Sequence, residues 1–184
     1  MKRFFLLVSV LTFVGSQAVS AQSYISRNAH VWFFSATNME NIEAHNHKVA
    51  SILNAQTGAL TFKMNIKAFE FEKALMQEHF NENYMESDKF PNSDFKGKIN
   101  NIADVDFSKN GTYNVTVSGK LTMHGITKAV SVPGTITVND GKVSSKAEFN
   151  VLLADYGITI PAAVKNQISK TIKITVDSAY TLKK

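Results

Sequence analysis

Cysteine is absent from all 184 residues of this sequence. Its absence excludes disulfide bonds, thiol catalysis and metal sites built on cysteine. Phosphate-binding glycine loops, dinucleotide-binding fingerprints and the G-x-S-x-G nucleophile motif are absent as well. Basic residues are scattered rather than clustered, so the formal charge of +5 predicts no nucleic-acid partner. The information in this chain therefore lies mainly in its hydrophobic pattern.

A long apolar run occurs only at the N-terminus. Lys2 and Arg3 precede the apolar stretch Phe4–Val14, and Val19–Ala21 has the small residues of a cleavage site. This arrangement is typical of a signal peptide, so we expect residues 1–21 to be removed on export. Because no cysteine follows the predicted cleavage point, we expect no lipoprotein anchor. We expect a soluble protein that is periplasmic or secreted.

Most of the remaining chain alternates apolar and polar residues with a period of two. The alternation is clearest in Leu60–Ile66 and Val115–Met123, and Ala147–Leu153 and Ile172–Val176 repeat it. Successive side chains of a strand point to opposite faces, so each segment has one apolar face. Residues 22–184 have the length of one domain. We predict a mainly β fold, a single antiparallel barrel of about eight strands with one inserted helix.

Three dipeptides are candidates for tight hairpin turns. They are Asn110-Gly111, His124-Gly125 and Asp140-Gly141. Asparagine, aspartate and glycine tolerate the positive φ that such turns require. Each dipeptide stands between two apolar segments and is expected to connect two paired strands.

One segment, residues 72–87, has helical periodicity instead. Leu75, Met76, Phe80 and Tyr84 share one face, and most of the charged residues lie opposite. We expect this helix to lie on the barrel with its apolar face inward and to close one end.

Histidines and carboxylates were considered as metal ligands and as catalytic groups. His45 and His47 form a His-x-His pair, whose rings share one face of a strand and could share a metal ion. The sequence shows no third ligand, so we expect no native metal site. His79 and His124 are expected to be structural, hydrogen-bonded residues. An enzyme for a small apolar substrate, with His79, His124 or Asp155 as acid or base, stays an alternative, although we assign no catalytic residue.

Three segments resemble one protein family. Gly119–Lys128, GKLTMHGITK, resembles the G-x-L-T-[ILM]-H-G-[VI]-T-K hairpin of the YceI-like, polyisoprenoid-binding family. The segment Leu75–Pro91, followed by Phe95–Gly97, resembles that family's helix-to-strand region, in which a polar and aromatic stretch precedes [YF]-P-x-[AIS]-x-F. Asp155–Ile158 falls where the family carries an Asp-Phe-Gly-like element. The order and spacing are similar from about Ala29 to Tyr180.

This resemblance implies a lipocalin-like barrel with an elongated apolar cavity. It implies binding of a long isoprenoid chain, such as a polyprenyl phosphate or a quinone tail, and export to the periplasm. It implies no cofactor apart from such a bound isoprenoid lipid. A transient contact with a membrane and a dimeric state are both left open.

The inward phase of each strand indicates which residues would line such a cavity. Phe62, Val117 and Phe149 are expected to be buried around one cavity, with their outward neighbours exposed. The full set of predicted lining residues is Phe33, Leu60, Phe62, Met64, Ile66, Phe80, Phe95, Val117, Leu121, Val132, Ile136, Phe149, Val151, Leu153, Ile172 and Ile174. The same residues could form a solid core, so a packed structural or stress-associated barrel stays an alternative.

Glycine also occupies inward positions of the predicted strands. Gly97, Gly119 and Gly134 fall in the apolar phase of their segments. Glycine at such a position leaves space for a ligand or marks a bulge or barrel corner, and the sequence favours neither.

Overall fold

The computed structural model describes residues 22–183, so the predicted signal peptide, residues 1–21, lies outside the described residues. Strands dominate the structure. Their bounds, with the one α-helix, are β1 (Ser23–Ala36), β2 (Asn41–Asn54), β3 (Ala59–Asn65), β4 (Glu70–Phe71), α1 (Ala74–His79), β5 (Asn92–Ile99), β6 (Gly111–Met123), β7 (Ile126–Asn139), β8 (Lys142–Leu152) and β9 (Thr171–Leu182).

The eight long strands form one closed antiparallel barrel. The sheet runs β1-β9-β8-β7-β6-β5-β3-β2, and the pairing of β1 with β2 closes it. Strand β4 has two residues and pairs only with the start of β2, through Ala44↔Phe71 and His45↔Glu70. The predicted fold, a mainly β barrel of about eight strands with one inserted helix, is confirmed.

Two of the three predicted hairpin turns are confirmed. Asp140 and Gly141 have φ of 49° and 74°, and His124 and Gly125 have φ of 50° and 73°, as a primed two-residue turn requires. The turn predicted at Asn110-Gly111 is wrong, because Gly111 opens β6. The side chain of Asn110 instead donates to Asp140 Oδ1 at 2.9 Å and accepts from Asp140 N at 2.8 Å. Asn110 therefore stabilises the Asp140-Gly141 turn and does not form a turn itself.

The helical segment is shorter than residues 72–87. Helix α1 ends at His79 and continues as one π-helical turn, Phe80–Tyr84, in which Met85 N donates to Phe80 O at 2.8 Å. Met76, Phe80 and Tyr84 face the barrel, but Leu75 is 61% exposed, so its predicted inward position is wrong. A helix that lies across the barrel presents only a narrow stripe to it, and Leu75 is about 100° away from Met76.

The two ends of the barrel differ in packing. At one end the start of β6 meets the end of β7 and the end of β9, and Val115, Ile136 and Tyr180 pack there with Leu53 and Leu60 into a buried cluster. The helical segment and the loop between β8 and β9 cover the opposite end. One end is therefore a packed floor, and the other, which the helical segment covers, is the candidate for a mouth.

The strand pairing has one short section. Strands β7 and β8 have 14 and 11 residues, yet they pair only from Gly134↔Ala147 to Asn139↔Lys142. Beyond this point Pro133 follows in β7, and proline has no N–H to donate to a ladder. The 3-10 turn Leu153–Tyr156 lies beyond the end of β8 and contacts β7. The wall of the barrel is thus hydrogen-bonded along only part of this seam.

Candidate functional site

An apolar cavity of about 300 Å³ occupies the barrel interior. All eight barrel strands contribute inward side chains, and the helical segment adds Met76, Phe80 and Tyr84 at the mouth. All sixteen residues predicted to line a cavity border this one. Their contact with a ligand stays a prediction.

The strand register explains this placement. Val117 is buried, and Phe62 and Phe149 are half-buried. These two rings are not fully covered, as had been expected, because they face a hollow instead of a packed core. Their neighbours Lys63 and Glu148 are exposed on the outer face, as expected. Ser118, beside Val117, was expected to be exposed as well but is half-buried, because its hydroxyl contacts Asn100 and Ser131. A solid interior is therefore excluded for the described barrel.

Four phenylalanine rings form an aromatic cluster at the mouth. Phe80 of the helical segment lies 5.5 Å from Phe33, 5.6 Å from Phe69 and 5.0 Å from Phe71 between ring centroids. Such pairs attract each other beyond the area that they bury. The cluster is the main contact between the helical segment and the barrel wall.

Phe69 and Phe71 were missed in the sequence. They alternate with Glu70 and Glu72, which is the period of a strand, but the neighbouring helical pattern obscured this short signal. The structure shows Glu70–Phe71 as β4. The alternation itself could have identified both rings as inward-facing.

The inward glycines Gly97 and Gly119 neither leave free space nor mark a bulge. They lie opposite each other in an unbroken register between β5 and β6. A Cβ atom on Gly97 would lie 2.6 Å from Phe95 Cζ, and one on Gly119 would lie 2.7 Å from the same atom. The ring of Phe95 therefore lies against both glycines, as aromatic rings do over glycines in designed sheets. Gly134 borders the cavity, but a Cβ atom on it would lie 2.9 Å from Lys146 O, so this glycine too lies at a close approach between strands.

Polar groups in the interior are few, and a buried tyrosine hydroxyl lies within hydrogen-bond distance of two of them. On the floor, the Tyr180 hydroxyl lies 3.1 Å from Ser51 Oγ and 3.3 Å from Ser145 Oγ. Burial raises the pKa of the Tyr180 phenol above its ordinary value of 10.0. At the mouth, burial likewise raises the pKa of Tyr84. Both phenols are neutral at physiological pH, so they add no charge to the cavity.

The structure does not bring the alternative acid and base residues together. His79 is exposed at the mouth, whereas His124 and Asp155 lie outside the residues that line the cavity within 22–183. His124 has the predicted structural role, since its Nδ1 lies 3.0 Å from Tyr156 O and its Nε2 lies 2.7 Å from Glu86 Oε2. It ties the β6–β7 hairpin to two covering segments.

A third histidine joins the His-x-His pair on the outer wall. His30 of β1 lies beside His45 and His47 of β2, and one ring nitrogen of each lies within 4.8 Å of the others. We call these three residues the histidine cluster. Burial, with His47 and His45 nearby, lowers the pKa of His30 below its ordinary value. His30 was not predicted as a member of this group, because it is distant from His45 and His47 along the chain.

Between residues 22 and 183, no helix combines the length and the apolar composition needed to span a membrane.

A closed antiparallel barrel with an apolar hollow, an aromatic mouth and few polar groups has the architecture of a small-molecule-binding barrel. The family is shown by the sequence itself: a model of the YceI-like domain matches residues 17–180, and the chain belongs to that family. The resemblance found in the hairpin and helix segments is thereby confirmed. No protein with a curated description matches the chain significantly.

Solved structures share the fold at low sequence identity. A polyisoprenoid-binding domain from Saccharophagus degradans, implicated in plant cell wall breakdown, is 11% identical with a TM-score of 0.75, over 89% of this chain and all (100%) of that one. BcnA of Burkholderia cenocepacia is 14% identical with a TM-score of 0.69, over 83% and 96% of the two chains. The YceI protein of Campylobacter jejuni is 14% identical with a TM-score of 0.57, over 81% and 89%.

Proposed function

We propose that this protein binds a long apolar chain, of the polyisoprenoid, polyprenyl phosphate or quinone type, inside its barrel and catalyses no reaction. The observation that carries the proposal is the apolar cavity with its packed floor and its mouth at the helical segment. The polyisoprenoid-binding domain from Saccharophagus degradans, which has the same fold, supports the choice of ligand class.

The energetics favour a long ligand over a short one. Burial of one CH₂ group contributes about 0.8 kcal/mol, so a five-carbon isoprene unit contributes about 4 kcal/mol. Association opposes this with about 4–15 kcal/mol of lost translational and rotational freedom and of ordering. About two to four buried units are therefore needed before binding becomes favourable, without any polar contact.

The cavity also suits a flexible chain. Met64, Met76, Met85 and Met123 line it at or near the mouth, and methionine adapts its shape to irregular ligands. The apolar part of the cavity presents no polar group that would impose one orientation on the ligand. This favours a hydrocarbon chain over a polar metabolite.

The proposal includes export of the protein. Residues 1–21 would direct it to the periplasm or out of the cell and then be removed. N-terminal sequencing of protein recovered from the periplasmic fraction tests this part independently, and a mature chain that begins at Gln22 is the expected result.

Native mass spectrometry tests ligand binding directly. Protein purified without detergent should carry an added mass that organic extraction removes and identifies as an isoprenoid lipid. Stripped protein should take up a polyprenyl phosphate or a long-chain quinone from vesicles. Purified protein that carries no lipid and takes up none would contradict the proposal.

A matched pair of variants on β7 ties uptake to the cavity. Val132 lines the cavity, and its neighbour Ser131 is exposed on the outer face. Val132→Trp should fill the hollow and lower lipid occupancy at least about tenfold, because the ring displaces several CH₂ groups. Ser131→Trp should leave occupancy unchanged. Circular dichroism checks that both variants are folded, and equal occupancy in both would place the ligand elsewhere.

A further inference from the structure

The histidine cluster lies on the outer wall, apart from the cavity. Val31 and Phe33 of β1 line the cavity, so His30 and Trp32 point outward. In β2 Ala44 and Asn46 are 0% exposed, so His45 and His47 take the opposite, outward face. The closure of the barrel between β1 and β2 thus places three imidazoles on one patch.

The local backbone favours this convergence. The register of β1 against β2 shifts between Ala29 and Val31, on either side of His30. Irregularities of this kind re-aim a side chain and are frequent beside functional sites. As a result His30 Nε2 lies 2.9 Å from His45 Nδ1, and the rings of His30 and His47 stack with centroids 4.0 Å apart.

A carboxylate orients the His45 ring of the histidine cluster. Glu43 Oε1 lies 3.5 Å from His45 Nε2, so the other nitrogen of that ring, Nδ1, faces His30. Metal-binding histidines commonly have one nitrogen toward the ion and the other toward a carboxylate, which fixes the tautomer. Asp177 of β9 pairs with His30 in the register of the sheet and adds a second negative charge near the patch.

We propose that His30, His45 and His47 form a binding site for a divalent transition-metal ion of the zinc or copper(II) type. Three imidazoles with an open fourth position suit these ions, and no thiolate is available to favour a softer one. Only His45 and His47 were predicted as a pair that could share a metal ion, and the fold brings His30 to them as the third ligand. This site would add a property that the lipid cavity does not require.

Metal binding needs a modest rotation of the rings. Three of the nitrogens now lie within 4.8 Å of one another, whereas tetrahedral ligands at zinc lie about 3.3 Å apart. The rings are nearly parallel, within 23° of one another, so at least one must turn to place the ion in its plane. His47 is exposed and can turn without disturbing the core.

The fluorescence of Trp32 can report whether a metal ion is bound to the histidine cluster. Trp32 is the single tryptophan of the sequence. Its ring lies 4.4 Å from His30 and 6.4 Å from His45 between centroids. A copper(II) ion bound by the cluster would therefore quench most of the protein's tryptophan fluorescence.

The test is a titration of the full-chain protein, made without a polyhistidine tag, with copper(II) sulfate. One equivalent should quench Trp32 in a saturable way, chelator should reverse it, and calorimetry with zinc chloride should give one site. His30→Gln and His47→Gln should each weaken metal binding more than about 100-fold. Mutation of a residue that only hydrogen-bonds a metal ligand already lowers metal affinity about 10–100-fold, and these two residues are ligands themselves. His79→Gln, which changes an exposed histidine on α1, is the matched control and should bind as the wild type does.

Glu43 serves as a second, graded test. Glu43→Gln keeps a hydrogen-bonding side chain but removes the charge, so it should weaken binding about tenfold as a positioning residue. Melting curves in chelator should be the same for all variants, which separates loss of binding from loss of fold. Unquenched wild-type fluorescence, or equal binding by wild type and His30→Gln, would overturn the proposal.

Discussion

Individual residues decide how closely the strands of this barrel approach. A Cβ atom on Gly119 would lie 2.5 Å from Lys96 O and 2.6 Å from Gly97 Cα. Both are backbone atoms of the paired strand β5, so they cannot move to relieve the clash. Gly97 and Gly119 are thus required by the packing of β5 on β6 and of Phe95 on both strands.

Gly119→Ala should therefore destabilise the fold. Overpacking of this kind costs about 1–3 kcal/mol in the free energy of unfolding, measured by urea denaturation. Gly111→Ala in the same strand is the control, because its Cβ would lie 3.4 Å from the nearest atoms of Tyr113, an ordinary contact. It should be neutral or slightly stabilising. Equal losses in the two variants would show that strand propensity, and not close approach, governs Gly119.

Tyr180 should make stability depend on pH under alkaline conditions. Burial raises the pKa of the phenol in the folded protein above its ordinary value of 10.0, so the folded state holds its proton more tightly than the unfolded state does. The free energy of unfolding should therefore fall as pH rises above about 10. Tyr180→Phe should make that slope shallower, and the other tyrosines with raised pKa values, such as Tyr84, should account for the slope that is left. The variant should also lose about 1–3 kcal/mol at pH 8, because Ser51 and Ser145 lose a partner. Urea denaturation at pH 8 and pH 11 checks both effects, and parallel slopes would contradict the assignment.

At the scale of elements, the helical segment Ala74–Tyr84 is the cover of the mouth. Its contact with the wall is mainly the aromatic cluster of Phe33, Phe69, Phe71 and Phe80. A long chain can enter only if this cover loosens, as lids do over other sites.

Phe80→Ala should have two separable effects. It should lower the free energy of unfolding by about 1–3 kcal/mol, less than for a fully buried ring, because Phe80 is half-buried. It should also speed the release of a fluorescent isoprenoid to acceptor vesicles in stopped-flow measurements. Leu75→Ala, on the exposed side of α1, should change neither quantity appreciably. Release at the wild-type rate by Phe80→Ala would show that the ligand leaves by another route.

The elements differ in how well the sequence predicts them. The period of two identified the barrel strands and placed Phe62, Val117 and Phe149 on the inner face, because alternation is a local property. Leu75 was misplaced and Phe71 was missed, since a short helix with a π turn and a two-residue strand have too few residues for a clear period. The role of Gly97 and the approach of His30 depend on the neighbouring strand, which no local pattern reveals.

At the scale of the whole molecule, a ligand that fills the hollow interior should raise the free energy of unfolding. A ligand that binds only the folded state stabilises it in proportion to the logarithm of its concentration over its Kd. Addition of a long-chain quinone at about 100 times its Kd should stabilise the protein by about 2.7 kcal/mol, seen as a raised Tm. Val132→Trp, which already fills part of the hollow, should show a smaller rise. An unchanged Tm in the wild type would contradict binding to the folded barrel.

The short pairing between β7 and β8 has a consequence for local opening of the barrel wall. Past Gly134↔Ala147 the two strands are held only by their other neighbours, so part of their amides lacks a ladder partner across the seam. Deuterium should therefore enter at residues 128–132 and 148–150 sooner than at residues 117–121, which pair with β5 on one side and with β7 on the other. A chain lodged behind the seam would slow that uptake, so an exchange map of this one stretch would record whether the barrel is loaded or empty.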